Sequence, residues 1–196
     1  MGSYFMNQPD SQQDRKEFTF RFFDNNFIFN SDNGVFSKGH IDLGTNTLLS
    51  YVVNLDLNNC SCLDLGCGYG VISIILKRIF PNINILGVDI NRRAIDLANF
   101  NANINGHNLN FIVNDGLNSL NKFDYIISNP PIRAGKKIIY SWFETAIDHL
   151  NDNGSLIFVM RKEHGLKSAL KFCQLKYASV EVVFKNKGFF VVISKK

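Results

Sequence analysis

The segment Leu63-Asp64-Leu65-Gly66-Cys67-Gly68-Tyr69-Gly70 constrains the fold of this chain more than any other, because an apolar run ends there in three glycines and an apolar helical pattern starts at once. Residues 60–65 have the length of a short buried strand, and residues 71–80 have the length and apolar face of a helix. Glycine permits positive φ and lets the backbone approach a bound molecule, and ligands of open α/β sheets sit at the carboxyl ends of the strands. The segment therefore reads as a ligand-binding turn between strand and helix.

Gly-x-Gly after a strand serves both dinucleotides and S-adenosylmethionine. The dinucleotide fingerprint needs another glycine three residues after the second, and this chain has Val71 there. No phosphate-loop Lys-Ser or Lys-Thr pair follows. Asp64, two residues before Gly66, would repel a pyrophosphate but can hold a cationic amino group or a water network beside a sulfonium. The pattern favours S-adenosylmethionine over NAD, with a glycine turn that binds nothing as the plain alternative.

The rest of the chain reads as support for that turn. Residues 1–17 are polar and expected to be flexible, and residues 18–196 are expected to form a single domain. Aromatic runs at 18–23 and 27–29 flank Asp24-Asn25-Asn26 and predict a hairpin closed at those three residues. A polar, glycine-containing loop at 34–45 follows, then a helix over 47–55. His40 in that loop reads as a solvent-facing or hydrogen-bonding histidine before it reads as a base, since no carboxylate or serine pattern accompanies it. Further strands are predicted at 83–89, 109–113, 123–128 and 154–160, helices at 92–105, 136–150 and 164–176, and a closing hairpin at 179–184 and 189–193. Alternating strands and helices predict a mostly parallel sheet with helices on both faces. Asp89, Asp115 and Asn129-Pro130-Pro131 each end one of these strands, at the same sheet edge as Gly66 and Gly68. A strand-end carboxylate such as Asp89 can accept both ribose hydroxyls of an adenosine. Asp115 can accept from an adenine amino group or be a plain turn residue.

Charge is distributed unevenly. Residues 1–120 carry 8 Lys and Arg against 11 Asp and Glu, a net of −3, whereas residues 121–196 carry 13 against 6, a net of +7. A basic carboxyl-terminal part suits an anionic partner such as RNA, and a solvated lysine face would look the same. Cys60, Cys62, Cys67 and Cys173 are not spaced as a disulfide framework, and no secretory or membrane-spanning run is present, so a reducing cytoplasm is the expected compartment. A metal site is not expected, because no histidine lies near the first three cysteines.

In this order and spacing, Asp64-x-Gly-x-Gly68, Asp89, Asp115 and Asn129-Pro-Pro131 resemble a class I S-adenosylmethionine-dependent methyltransferase. With Gly34-Val-Phe-Ser37, Asp42-x-Gly44 and the string NPPIRAGKK from Asn129 to Lys137, the chain is similar to the RsmC-like small-subunit ribosomal RNA guanine-N2-methyltransferases over nearly all of residues 18–196. The resemblance implies a Rossmann-like seven-stranded sheet whose last strand is antiparallel, preceded by an N-terminal β-hairpin. It implies S-adenosylmethionine as cofactor, held by Asp64, Gly66, Gly68, Asp89, Asp115 and Gly44, and catalysis at Asn129, Pro130 and Pro131. Phe36, Ile132, Arg133, Lys136 and Lys137 would face the substrate, which is ribosomal RNA or the small ribosomal subunit, and the protein would act as a monomer or homodimer without metal or membrane.

The chain departs from amino-methyltransferases of this kind in one respect: where many place an aromatic residue after Asn-Pro-Pro, it has Ile132 followed by Arg133. The competing readings are a protein glutamine methyltransferase, which normally has Tyr at that position and a helical amino-terminal domain, and a catalytically silent RNA-binding assembly factor that retains the fold.

Overall fold

The structure is a computed structural model and describes residues 15–33 and 39–196. Gly34 to Lys38, with Phe36, and most of the polar amino-terminal stretch lie outside the described residues.

Seven strands form one sheet: β3 (Ser61–Leu65), β4 (Asn84–Asp89), β5 (Asn110–Val113), β6 (Phe123–Ser128), β7 (Leu150–Arg161), β8 (Ser179–Asn186) and β9 (Phe189–Lys195). Their spatial order is β5-β4-β3-β6-β7-β9-β8. The pairs from β5 to β7 are all parallel, and β9 is antiparallel to both its neighbours. Side-chain alternation then splits the core in two. Cys62, Ile127, Ile157, Val159 and Val191 face the layer of α1 (Leu43–Val52), α2 (Val71–Ile79) and α3 (Arg92–Ile104). Leu63, Ile126, Leu156, Phe158 and Val192 face α4 (Lys136–Asp148) and α5 (Leu166–Gln174). Central strands buried on both faces are necessarily apolar at nearly every position, which is why they read so clearly as runs rather than alternations.

The amino-terminal hairpin forms as expected but one residue earlier than its turn chemistry suggested. β1 (Lys16–Phe22) and β2 (Asn25–Ser31) pair Phe18 with Phe29 and Phe20 with Phe27, so the turn is Phe23-Asp24. A turn at 24–26 would have placed Ile28 and Asn30 opposite the β1 phenylalanines. Because a one-residue slip moves a whole strand face, burial of Phe27 and Phe29 decides the register, and Phe23 takes φ +50° in the turn. Helix α1 also starts earlier than the apolar pattern at 47–55 predicted. Asp42 caps it by accepting from the Thr45 N–H at 3.0 Å, and the helix ends at Val52.

Two asparagines four residues apart, Asn101 in α3 and Asn105 at its C-terminal cap, attach the hairpin to the domain. Asn101 donates from Nδ2 to the Asn30 carbonyl (3.0 Å) and accepts from the Asn30 N–H (2.8 Å), while Asn105 does the same to Ile28 (2.7 and 3.1 Å). Each side-chain amide replaces a peptide group of a missing neighbouring strand and satisfies the outward edge of β2. Asn101 Nδ2 also donates to the Tyr69 carbonyl at 2.9 Å, joining the hairpin to the glycine turn.

Asn101 is fully buried, so Asn101→Ala leaves three backbone groups without partners. Urea unfolding should show a loss of about 3 kcal/mol, while Asn99→Ala, half-exposed on the same helix, should change stability by less than about 0.5 kcal/mol.

Candidate active site

The carboxyl ends of β3, β4, β5 and β6 open onto a cavity of about 540 Å³. Gly66, Gly68, Asp89, Asp115, Asn129, Pro130, Pro131, Ile132 and Arg133 line it together. Asp64, Gly44, Lys136 and Lys137 are not among its lining residues. His40 is exposed outside it, its carbonyl 3.4 Å from the Tyr69 hydroxyl.

The glycine turn is held from three sides. Gly66 and Cys67 donate to the Val88 carbonyl, both at 2.9 Å, which ties the turn to β4. Asp89 Oδ2 accepts from the Gly68 N–H at 3.0 Å and its Oδ1 from the Asn91 N–H at 2.9 Å, which fixes that carboxylate at the cavity wall. Asp64 lies beneath the turn, fully buried. Its Oδ2 accepts from Ser73 N–H (3.1 Å) and Ser73 Oγ (2.7 Å) in the first turn of α2, and its Oδ1 has no partner among the described residues. Asp64 thus steadies the turn from behind rather than standing in the cavity.

Burial pushes the Asp64 carboxyl up to about 7, against the pull of the two Ser73 hydrogen bonds. Burial also raises Asp89, opposed by the N–H groups of Asn91, Gly68 and Ile90. Cys67 borders the cavity, but its burial, with Asp64 and Asp89 beside it, drives the thiol well up and away from nucleophilic use.

On the β6 side, the Asn129 carboxamide is oriented by two acceptors. Its Nδ2 donates to Asp42 Oδ1 (3.1 Å) and Thr45 Oγ1 (2.9 Å). A carboxylate offers only lone pairs, so the group facing Asp42 must be the NH₂, and Oδ1 is the acceptor that remains. The cap of α1 therefore sets the rotamer at the exit of β6. Asp42 stood out in the sequence only as part of the Asp42-x-Gly44 motif and Thr45 not at all, and neither could be paired with Asn129 there, because that partner lies more than 80 residues away.

Trp142, Phe189 and His164 also line the cavity and were not anticipated. Trp142 packs directly against two of the glycines. A Cβ on Gly66 would come 3.3 Å from its Cη2, and one on Gly116 would come 3.0 Å from its Nε1. One signal for it existed: α4 buries the stripe Ile139, Phe143 and Ala146, whereas Ile138 and Trp142 form a second apolar pair at i, i+4 that faces the cavity.

These residues fit the S-adenosylmethionine expected from the glycine turn. Gly68 has φ +55° and open space where a Cβ would stand, Asp89 presents a fixed carboxylate at the end of β4, and Asp115 is exposed just beyond the end of β5.

Sheet order, antiparallel β9 and the site at the carboxyl edge define a Rossmann-like methyltransferase fold. Residues 26–193 match the methyltransferase small domain, and the chain belongs to that family as an RsmC-like member. It is 36% identical to YbxB of Bacillus subtilis, an uncharacterized protein, over 98% of both chains. It is 35% identical to ribosomal RNA small subunit methyltransferase C of Aeromonas hydrophila over 83% of this chain and 47% of that one. Among solved structures, the 16S rRNA N2 methyltransferase RsmC of T. thermophilus, in complex with AdoMet and guanosine, superposes with a TM-score of 0.84 at 22% identity, over 93% of this chain and 50% of that one. The chain thus spans about half the length of the RsmC proteins it matches.

Two measurements probe this site. Trp142 is the only tryptophan, so titration with S-adenosylhomocysteine should give a saturable change in its emission, and Trp142→Phe should bind by calorimetry yet be silent in fluorescence. The second concerns Asp64. A carboxyl whose pKa is higher folded than unfolded holds its proton more tightly when folded. Its stabilising contribution is full below about pH 4 and is lost as pH rises through 7. Asp89 shifts the same way, so Asp64→Asn should lose less stability than wild type between those limits; identical profiles would show that Asp64 does not titrate there.

Proposed function

We propose that this chain transfers a methyl group from S-adenosylmethionine to the exocyclic N2 amine of a guanine in small-subunit ribosomal RNA, with residues 18–196 acting as one methyltransferase domain. The observation that carries this reading is the orientation of Asn129, whose amide hydrogens are both committed to Asp42 and Thr45, leaving Oδ1 to accept from a substrate amine at the cavity. The similarity to small subunit methyltransferase C supports the choice of substrate.

Bound in the cavity, S-adenosylmethionine supplies an electrophilic methyl group. Asp89 would hold the ribose, Asp115 the adenine, and the backbone of Gly66 and Gly68 the methionine part, with that turn steadied from below by Asp64. The target amine donates one hydrogen to Asn129 Oδ1 and one to the main-chain carbonyl of Pro130. These two acceptors draw the nitrogen lone pair out of conjugation with the ring and set its direction, so the protein contributes orientation and electrostatics rather than a strong base. Pro130 and Pro131, which have fixed φ and no N–H, keep this exit rigid.

The mouth of the cavity suits RNA. Arg133 and His164 line it, and Lys136 reaches across to the start of α5, where its Cε is 3.4 Å from the position of a Cβ on Gly165. Lys136 and Lys137 occupy the first turn of α4, where the helix dipole disfavours cations; a backbone phosphate there offsets that cost.

Asn129→Ala should leave affinity for S-adenosylhomocysteine unchanged and slow single-turnover methylation of unmodified small subunits by about 100- to 1,000-fold per folded molecule. Mapping of the product should find methyl on a guanine N2. Methyl on protein or on large-subunit RNA would overturn the substrate, and a rate within about threefold of wild type, far short of the loss expected for such an acceptor, would remove Asn129 from the catalytic residues.

A further inference from the structure

An amine held by Asn129 and Pro130 belongs to a planar base, and a flipped or unstacked base needs an apolar face to replace the stacking it has lost. The residue after Asn-Pro-Pro does not supply an aromatic one: Ile132 opens a short 3₁₀ turn, Ile132–Ala134. Phe189 does stand in the same cavity. It is the first residue of β9, and its pairing with Arg161 at the end of β7 carries it to the carboxyl edge of the sheet.

Gly44 ties this ring to the Asn129 cluster. A Cβ on Gly44 would lie 3.0 Å from Phe189 Cε1 and 2.9 Å from Asp42 Oδ1, the oxygen that accepts from Asn129. The ring and the oxygen that orients the catalytic carboxamide therefore flank the same point beside Gly44. Gly44 lies inside α1 and is not among the residues with positive φ, so the backbone does not call for glycine there, and glycine within a helix weakens it. What glycine provides is room for the phenyl ring. On the ring's own side, the Arg161 guanidinium stands 5.7 Å from its centroid and is itself paired with Glu163 at 3.1 Å. Leu43 and Ile138 border the same cavity with 37% and 42% of their surface exposed, and a base entering between them would cover both.

We propose that Phe189 is the aromatic surface on which the target purine stacks, so that base recognition is supplied by the closing hairpin rather than by the residue after Asn-Pro-Pro. Gly44 is the spacer that admits the ring, not a cofactor contact. This rests on reading the cavity as a guanine-methylating site, and the test keeps the two apart.

Steady-state methylation of unmodified small subunits is compared for wild type, Phe189→Leu and Phe189→Tyr, each normalised to its folded fraction, with S-adenosylhomocysteine affinity measured by calorimetry. Loss of one base–aromatic contact should lower kcat/KM for RNA in Phe189→Leu by about 10- to 100-fold. Phe189→Tyr should retain activity within about threefold, since a second aromatic ring restores the stacking face. Cofactor affinity should be the same in all three. A purely structural role for Phe189 would instead lower the folded fraction and leave kcat/KM per folded molecule unchanged in Phe189→Leu, which would overturn the proposal. Equal losses in the leucine and tyrosine variants, or weakened cofactor binding, would also overturn it. A wild-type protein that methylates no guanine overturns the underlying reading, and this proposal with it.

Discussion

Everything in this structure depends on holding one irregular stretch of backbone, Gly66 to Gly70, at the end of β3. A turn with positive φ at Gly66, Gly68 and Gly70 cannot use a regular ladder, so its polar groups must be met individually. Three groups do this. The Val88 carbonyl in β4 holds the Gly66 and Cys67 N–H groups, Asp89 at the end of β4 holds the Gly68 N–H, and Asn101 in α3 holds the Tyr69 carbonyl, while Asp64 in β3 reaches past the turn to Ser73 in α2. Moving the turn would break contacts in every layer on that side of the sheet. Asp64 Oδ1, without a partner among the described residues, shows what the arrangement costs: a buried carboxyl with its ionisation disfavoured.

The cavity is divided in the same way as the sheet. The ends of β3, β4 and β5 provide glycines and carboxylates, and Trp142 closes them from α4. The end of β6 provides Asn129 and the prolines, and the supports for that half come from the cap of α1 and the start of β9. Parallel strands make this possible because their carboxyl ends all reach one edge, where loops differ freely without disturbing the core. The antiparallel β9 adds the reverse: its beginning, not its end, arrives at that edge, so a residue of the closing hairpin joins the site.

Residues whose role depends on local pattern were legible. Buried strands appear as apolar runs, and the Asn-Pro-Pro exit and strand-end carboxylates are visible because special residues stand at element boundaries. Residues whose role depends on a distant partner were not legible. Asn101 and Asn105 look like two more asparagines in an asparagine-rich chain, yet they complete the edge of a strand more than 70 residues away. The hairpin turn and the start of α1 were misplaced for a related reason: burial of Phe27 and Phe29 outweighed the turn propensity of Asp-Asn-Asn, and the cap at Asp42 outweighed the weak helical signal around Gly44.

By itself, the sequence determined the class of fold, the glycine turn and the four strand ends that meet at it, because hydrophobic period and backbone-special residues are local properties of a chain. Only the tertiary structure decided that Asp64 lies beneath the turn and not in the cavity, which way the Asn129 carboxamide faces, and that Trp142 and Phe189 are its aromatic walls. Each of these follows from which side chains are brought within about 3 to 4 Å of one another, the range over which hydrogen bonds and van der Waals contacts act. Sequence spacing carries no record of such a distance once the two residues belong to different elements.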